Sequence, residues 1–440
     1  VSVMQPATRA DVTPVLPAAG NPVSKYIKHV VVIIQENRSF ENFFAGYPGA
    51  DAPMFGCAGP SGLKSRRPNA SCPVGDTVVP LHSITFDSDD PAHNWHSSVV
   101  DWDNGNMDGF YTEGAQDAAY SYVARGLITP YWTLAQQYVL ADHMFPTEFG
   151  GSFTGHLTLI AGTDNLKPWL AEVDYPNGSP DDCDSPPGTR SSTINRHRRE
   201  SRFTGPFPCF NEFRTMAQDL DTAGVSWKYY VTKVLDAGLW EPFEAIKYVR
   251  YGNDWHQDII APQTLILTDP ADGKLAQVSW VSPSKQDSDH PGGQGHRAQG
   301  PLWVASIVNA IGESSYWNST AIIVVWDDWG GFYDNVPPPQ LDFRGLGIRV
   351  PCLIISPYAK RGYVSHTGYE YGSILKFIEE AFKLPALGPV SEGYTDSRAN
   401  SIDDSFDFLR KPRPFTPILT SHPPSYFLSE PPSNEPVDTE

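Results

Sequence analysis

Residues 29–40 read His29-Val30-Val31-Val32-Ile33-Ile34-Gln35-Glu36-Asn37-Arg38-Ser39-Phe40. The apolar run at 30–34 is β-branched and does not alternate. That pattern predicts a strand buried on both faces, as parallel strands are in an α/β sheet. After Asn37 the period changes, and Phe40, Phe43 and Phe44 fall at helical spacing. A carboxylate and an amide therefore stand where a central strand gives way to a helix. Open α/β sheets bind ligands at that carboxyl edge. Hard oxygen donors there suit a divalent cation. Asn is equally a favoured helix cap, and this stretch alone leaves both readings open.

A second stretch bears on the choice. Residues 321–325 form another continuous apolar run, and it ends in Asp327-Asp328-Trp329-Gly330-Gly331. Adjacent carboxylates at the tip of a buried strand repel unless a cation lies between them. The glycine pair lets backbone approach closely. Two core strands ending in oxygen donors predict a metal site. Between them in the chain, Gly150-Gly151-Ser152 precedes Leu157, Leu159 and Ile160 in helical array. A serine at a tight turn opening a helix has backbone amides and a positive dipole end beside it. It suits a nucleophile attacking phosphorus; a plain N-cap serine is the alternative. His93 lies beside an aspartate-rich turn and His290 in a glycine-rich loop just past a strand, where either could meet a ligand.

Further strands are expected at 227–231, 275–281 and 350–356, and helices at 131–138, 211–223, 301–311 and 372–382. Strand and helix alternate, so the class is α/β with a mainly parallel central sheet flanked by helices. The expected organisation is an extension over 1–25 and a catalytic domain over 26–410. That domain carries loop-rich insertions near 46–90 and 164–210. A proline-rich tail over 411–440 follows, with Phe415, Tyr426 and Phe427 to pin it and disorder past about residue 433.

Charge limits the partners. The chain has 440 residues, with 32 basic against 51 acidic and a formal balance of −19. Nucleic acid and anionic lipid both need a basic face, so neither is an expected partner. No apolar run reaches the length of a membrane span. The start lacks Met, which fits a processed secreted chain or a trimmed one. Cys57 and Cys72 bracket one loop, and Cys183 and Cys209 another, so disulfides and a secreted or periplasmic location are expected. Reduced loop thiols are the alternative. Cys352 lies in an apolar run and reads as a buried free thiol.

Gln35-Glu36-Asn37-Arg38-Ser39-Phe40-Glu41-Asn42-Phe43-Phe44 after a buried strand strongly resembles the signature of the bacterial phosphoesterase family. That family contains phospholipases C of the phosphatidylcholine-hydrolysing type and a secreted respiratory-burst-inhibiting acid phosphatase. Asp327-Asp328-Trp329-Gly330-Gly331-Phe332-Tyr333-Asp334-Asn335-Val336-Pro337 resembles its second signature. Many members have glutamate where this chain has Asp328, and asparagine where it has Trp329. The resemblance runs over roughly residues 26 to 385 and implies an alkaline-phosphatase-like core. It implies that Glu36, Asn37, Asp327 and Asp328 hold a divalent metal, with calcium, magnesium and manganese the leading ions. Ser152 would be the nucleophile, where phospholipase relatives have threonine. His93 and His290 would contact the phosphoryl group or leaving oxygen, and Asn37 would double as a donor to a phosphoryl oxygen. His366 would be supporting or structural.

The implied activity is metal-dependent hydrolysis of a phosphate ester through a phosphoserine. The first expectation is a secreted phosphomonoesterase of the acid phosphatase type, because phospholipases of the family are usually longer, with extra C-terminal β domains. The alternative is a phospholipase C-like phosphodiesterase on choline-type phospholipids or related diesters. A catalytically silent binding protein is the third reading.

Overall fold

The computed structural model describes residues 23–59, 72–73, 75–112, 118–292 and 299–432. Of the expected extension and the tail past 433, only residues 23–25 fall within it; the rest lie outside the described residues. In chain order the main sheet is built from β1 (His29–Gln35), β2 (Val139–Phe145), β3 (Trp227–Tyr230), β4 (Ile259–Ile260), β5 (Val278–Val281), β6 (Thr320–Trp326), β7 (Val350–Ile355), β8 (Tyr363–Ser365) and β9 (Tyr369–Glu370). The spatial order is β4-β3-β5-β1-β6-β7-β2-β8, with β9 also on β2. The flanking helices are α1 (Phe40–Phe44), α2 (Trp95–Trp102), α3 (Thr129–Gln137), α4 (Ser152–Ala161), α5 (Met216–Ala223), α6 (Gly300–Gly312) and α7 (Tyr371–Phe382). Helix α4 packs with α7, and α3 with α6.

The apolar runs behave as their patterns demand. Val30 to Ile34 of β1 and Ala321 to Val325 of β6 are wholly buried and lie side by side in parallel, with Val30 opposite Ala321 and Ile34 opposite Val325. Burying each valine or isoleucine of these runs contributes roughly 1.5–3 kcal/mol. All the pairings are parallel except those of β7, which is antiparallel to both β6 and β2. Residues 327–349 leave β6 and return without a helix, and a chain that doubles back re-enters antiparallel. Two reversals restore direction, so β2 again runs with β1. The carboxyl ends of β1, β2, β5 and β6 therefore share one edge.

Some boundaries differ from the expected ones. Helix α5 starts at Met216, not 211, because Thr215 caps it; the Thr215 N–H donates to Gln218 Oε1 at 2.8 Å. Strand β5 starts at Val278, where pairing with Val30 and Trp227 begins. The insertion near 164–210 carries its own antiparallel four-stranded sheet and the Cys183–Cys209 disulfide. Two of its arginines are spent internally, Arg198 Nε on Phe343 O (2.8 Å) and Arg202 Nε on Glu200 Oε1 (2.5 Å). Cys57 and Cys72 form the other disulfide, and Cys352 is a buried free thiol. The tail docks on α6: Phe427 packs on Trp303 with ring centroids 5.2 Å apart, and Asn309 Nδ2 donates to Ile418 O at 2.9 Å. Phe415 packs on Trp317 at 4.9 Å. Among the described residues no helix is long and apolar enough to cross a membrane.

Candidate active site

Glu36 and Asn37 directly follow β1, and Asp327 and Asp328 directly follow β6. Three backbone amides lace these tips together. Asp327 N–H donates to Gln35 O (3.0 Å), Asn37 N–H to Asp327 Oδ1 (3.0 Å) and Arg38 N–H to Asp328 O (3.0 Å). Asn37 takes a left-handed conformation, φ 52°, which Asn tolerates better than most residues. Gly330 makes the approach feasible: a Cβ there would sit 2.1 Å from Asn37 O. Neither Glu36 nor Asn37 caps α1. Its cap is Ser39, whose hydroxyl accepts from Asn42 N–H at 3.2 Å.

Ser152 is the first residue of α4, and Gly151 is the cap. The helix is pressed onto the end of β6 at Gly155, where a Cβ would lie 2.5 Å from Asp327 O. That contact delivers Ser152 to the strand tips. Ser152 Oγ donates to Asp328 Oδ2 at 3.4 Å and accepts from Asn37 Nδ2 at 3.4 Å. The other Asn37 Nδ2 hydrogen goes to His93 Nε2, 2.7 Å away. His93 Nδ1 lies 2.7 Å from Pro91 O, which calls for a proton on Nδ1 and leaves the Nε2 lone pair for Asn37. Both amide hydrogens of Asn37 are thus committed, which turns Oδ1 elsewhere. Among the described residues Asn37 Oδ1 and Asp327 Oδ2 are buried with no hydrogen-bond partner.

His290 sits 6.0 Å from His93, ring centre to ring centre, and its Nδ1 is 2.5 Å from Pro291 O. Its loop is tied to the β1 tip by Arg38, whose Nε donates to Asp289 O at 2.8 Å. The Asp289 carboxylate accepts from Tyr131 Oη (2.6 Å) and Trp326 Nε1 (3.1 Å). Burial pushes it up to about 7, although Tyr131, Arg38 and Trp326 pull the other way. Structure brings Glu36, Asn37, Asp327, Asp328, Ser152, His93 and His290 to one edge. His366 lies apart, on Asp142.

His156 was not singled out from sequence. It stands one turn beyond Ser152 on the same helical face, with Nε2 2.9 Å from Glu36 Oε1 and 4.0 Å from Asp327 Oδ2. Burial pushes it down to about 4, outweighing the raising effect of Asp327. The imidazole is therefore neutral near pH 7 and can donate a lone pair. The i, i+4 spacing from a helix-opening serine was the available signal.

One ligand atom from each of Glu36, His156 and Asp327 lies within 4.8 Å of the others. Buried carboxylates and orphaned acceptors are costly unless something neutralises them. A divalent cation fits this donor set of carboxylates, an amide oxygen and an imidazole.

The phosphoesterase family model matches residues 27–385. Phospholipase C A of Mycobacterium tuberculosis is 28% identical over 90% of this chain and 80% of its own length. Phospholipase C B of the same organism is 26% identical over the same shares. The non-hemolytic phospholipase C of Pseudomonas aeruginosa is 23% identical over 83% of this chain and 55% of its own length. A solved protein of the alkaline phosphatase superfamily from Vibrio parahaemolyticus aligns at TM-score 0.37 and 13% identity, over 80% of this chain and 74% of its own.

Proposed function

The chain belongs to the phosphoesterase family and is a phosphoric ester hydrolase, and from that premise we propose that it is a phospholipase C-like phosphodiesterase. Its substrate would be a phospholipid diester, and its route a phosphoserine at Ser152. This reverses the order expected from sequence, where the monoester reading came first. The change rests on the phospholipases C that the chain resembles over 90% of its length. The monoester reading stays as the second, because Ser152 stands where phospholipase relatives are expected to carry threonine.

The observation that carries the chemistry is the convergence of Asn37 and Asp328 on one buried serine hydroxyl, with His93 holding the Asn37 amide. Ser152 Oγ attacks phosphorus in line while its proton passes to Asp328 Oδ2. Asn37 Nδ2, held by His93, donates to a phosphoryl oxygen as charge builds there. The bond to the leaving oxygen breaks, and His290 Nε2 supplies that oxygen with a proton, since Nδ1–H is engaged by Pro291 O. Water then attacks the phosphoserine and its proton returns to His290; the bond from phosphorus to Ser152 Oγ breaks, and Asp328 hands its proton back to Oγ. A divalent cation held by Glu36, Asn37, Asp327 and Asp328, with His156 beside Glu36, would supply Lewis-acid polarisation of the phosphoryl oxygens and of the serine hydroxyl. The two disulfides support action in an oxidising, extracytoplasmic compartment.

The discriminating experiment compares turnover of p-nitrophenylphosphorylcholine with that of p-nitrophenyl phosphate. A preference of about tenfold or more for the diester is expected. A comparable preference for the monoester sinks the phospholipase reading and installs the phosphatase one.

A further inference from the structure

Strand β8 ends with Ser365 opposite Ala141 of β2, and β9 begins with Tyr369 opposite Met144. Residues 366–368 thus span a gap that β2 crosses with Asp142 and His143 alone. An edge with one residue too many bulges outward. The bulge swings His366 onto Asp142. His366 Nδ1 lies 2.8 Å from Asp142 Oδ2, and His143 Nδ1 lies 2.7 Å from Asp142 Oδ1. The carboxylate is fully buried, while the His143 and His366 side chains are 23% and 60% exposed. One ligand atom of each residue falls within 4.8 Å of the other two.

We propose that Asp142, His143 and His366 form a second divalent-metal site, which takes zinc or a neighbouring first-row ion and pins the β8–β9 crossover onto β2. Two imidazoles and one carboxylate are a zinc-type ligand set, unlike the oxygen-rich set around Asp327. A fourth position faces the solvent that already reaches His366. The carboxylate has a supporting bond of the kind a ligand needs. Asp51 N–H donates to Asp142 Oδ2 at 3.0 Å, while Arg349 Nη1 fixes the strand itself by donating to the Asp142 backbone carbonyl at 2.6 Å. Without metal, each Nδ1–H donates to the carboxylate. With metal, the Nδ1 lone pairs turn to the ion and the ring protons sit on Nε2. None of the three residues belongs to the proposed catalytic set, so the site stands or falls separately from it.

Zinc binding to the full chain is measured by equilibrium dialysis with elemental analysis. Cobalt(II) serves as a second probe through its d–d absorption. The double variant His143→Ala/His366→Ala should bind about one zinc fewer per chain than wild type. It should also lose the cobalt band of a nitrogen-ligated site and the zinc-dependent rise in melting temperature, with phosphoesterase turnover retained. Undiminished zinc stoichiometry in that variant overturns the proposal. Should the double variant not fold, His366→Gln, at an exposed side chain, is the fallback. Zinc affinity at least about tenfold weaker is expected there, and unchanged affinity overturns the site. Asp327→Asn should keep this ion; if it abolishes all zinc binding, the triad is a hydrogen-bonded histidine pair on a buried aspartate and no metal site.

Discussion

Two groups of buried acids in this protein are handled in opposite ways. Around Arg344 three acids are held by arginines of the chain itself. Arg344 Nη1 meets Asp164 at 2.5 Å, Arg344 Nη2 meets Asp342 at 2.8 Å, and Arg398 bridges Asp342 (2.7 Å) and Glu370 (2.9 Å). Burial alone would push Asp342 up, yet Arg344 and Arg398 outweigh it and hold this carboxyl below its ordinary range. Asp327 is wholly buried, but among the described residues its Oδ2 has no hydrogen-bond partner, and the imidazole beside it, His156 at 4.0 Å, is neutral. An arginine-paired acid is a finished structural joint. An acid beside a neutral imidazole leaves room for a charge from outside, and that is the difference between scaffold and site.

The sharpest break of this comparison is Ser152→Ala. Turnover of the nitrophenyl ester should fall by roughly three or more orders of magnitude with bound metal retained; near-wild-type rates would remove Ser152 as nucleophile. The paired variants Asp164→Asn and Asp327→Asn test the contrast directly. Asp164→Asn takes from Arg344 one of its two carboxylates and should lower unfolding free energy by about 1–3 kcal/mol in denaturant titrations. Asp327→Asn should leave the metal-free protein as stable as wild type, or more so, while calorimetry finds weakened metal binding. Equal destabilisation of both would erase the distinction.

A smaller effect comes from pH. His156 is held down to about 4 in the folded chain, against an ordinary value near 6.5 when unfolded. Its contribution is complete above pH 6.5 and is lost as pH falls toward 4, because only the unfolded chain takes the proton. Between pH 7 and 5 the metal-free protein should lose about 2 kcal/mol through this group. In His156→Gln the denaturation midpoint should move correspondingly less over that window.

Much of the site was legible locally. The β-branched runs at 30–34 and 321–325 announced buried strands, their acidic tips announced a cluster of oxygen donors, and Gly150-Gly151-Ser152 announced a helix-opening hydroxyl. The bracketed cysteines announced two disulfides. Other features had no local signature. Nothing near residue 93 says that His93 will orient the Asn37 amide, 56 residues away in sequence. Nothing in 350–355 says that this strand, unlike the others described in the main sheet, runs against its neighbours. His156 looked like one more residue of an apolar helix, and His366 has no visible tie to Asp142 until β8 and β9 both pair with β2.

Sequence by itself determined the buried strands at 30–34 and 321–325, the longer helices and the residue types at their ends, because side-chain period and branching act over a few residues; strand Val139–Phe145 was not among them. Only the tertiary structure decided which ends meet, because strand order, direction and register come from pairing across hundreds of residues. The final position of each donor depends on close approaches, such as Gly330 on Asn37 and Gly155 on Asp327, that no single stretch contains.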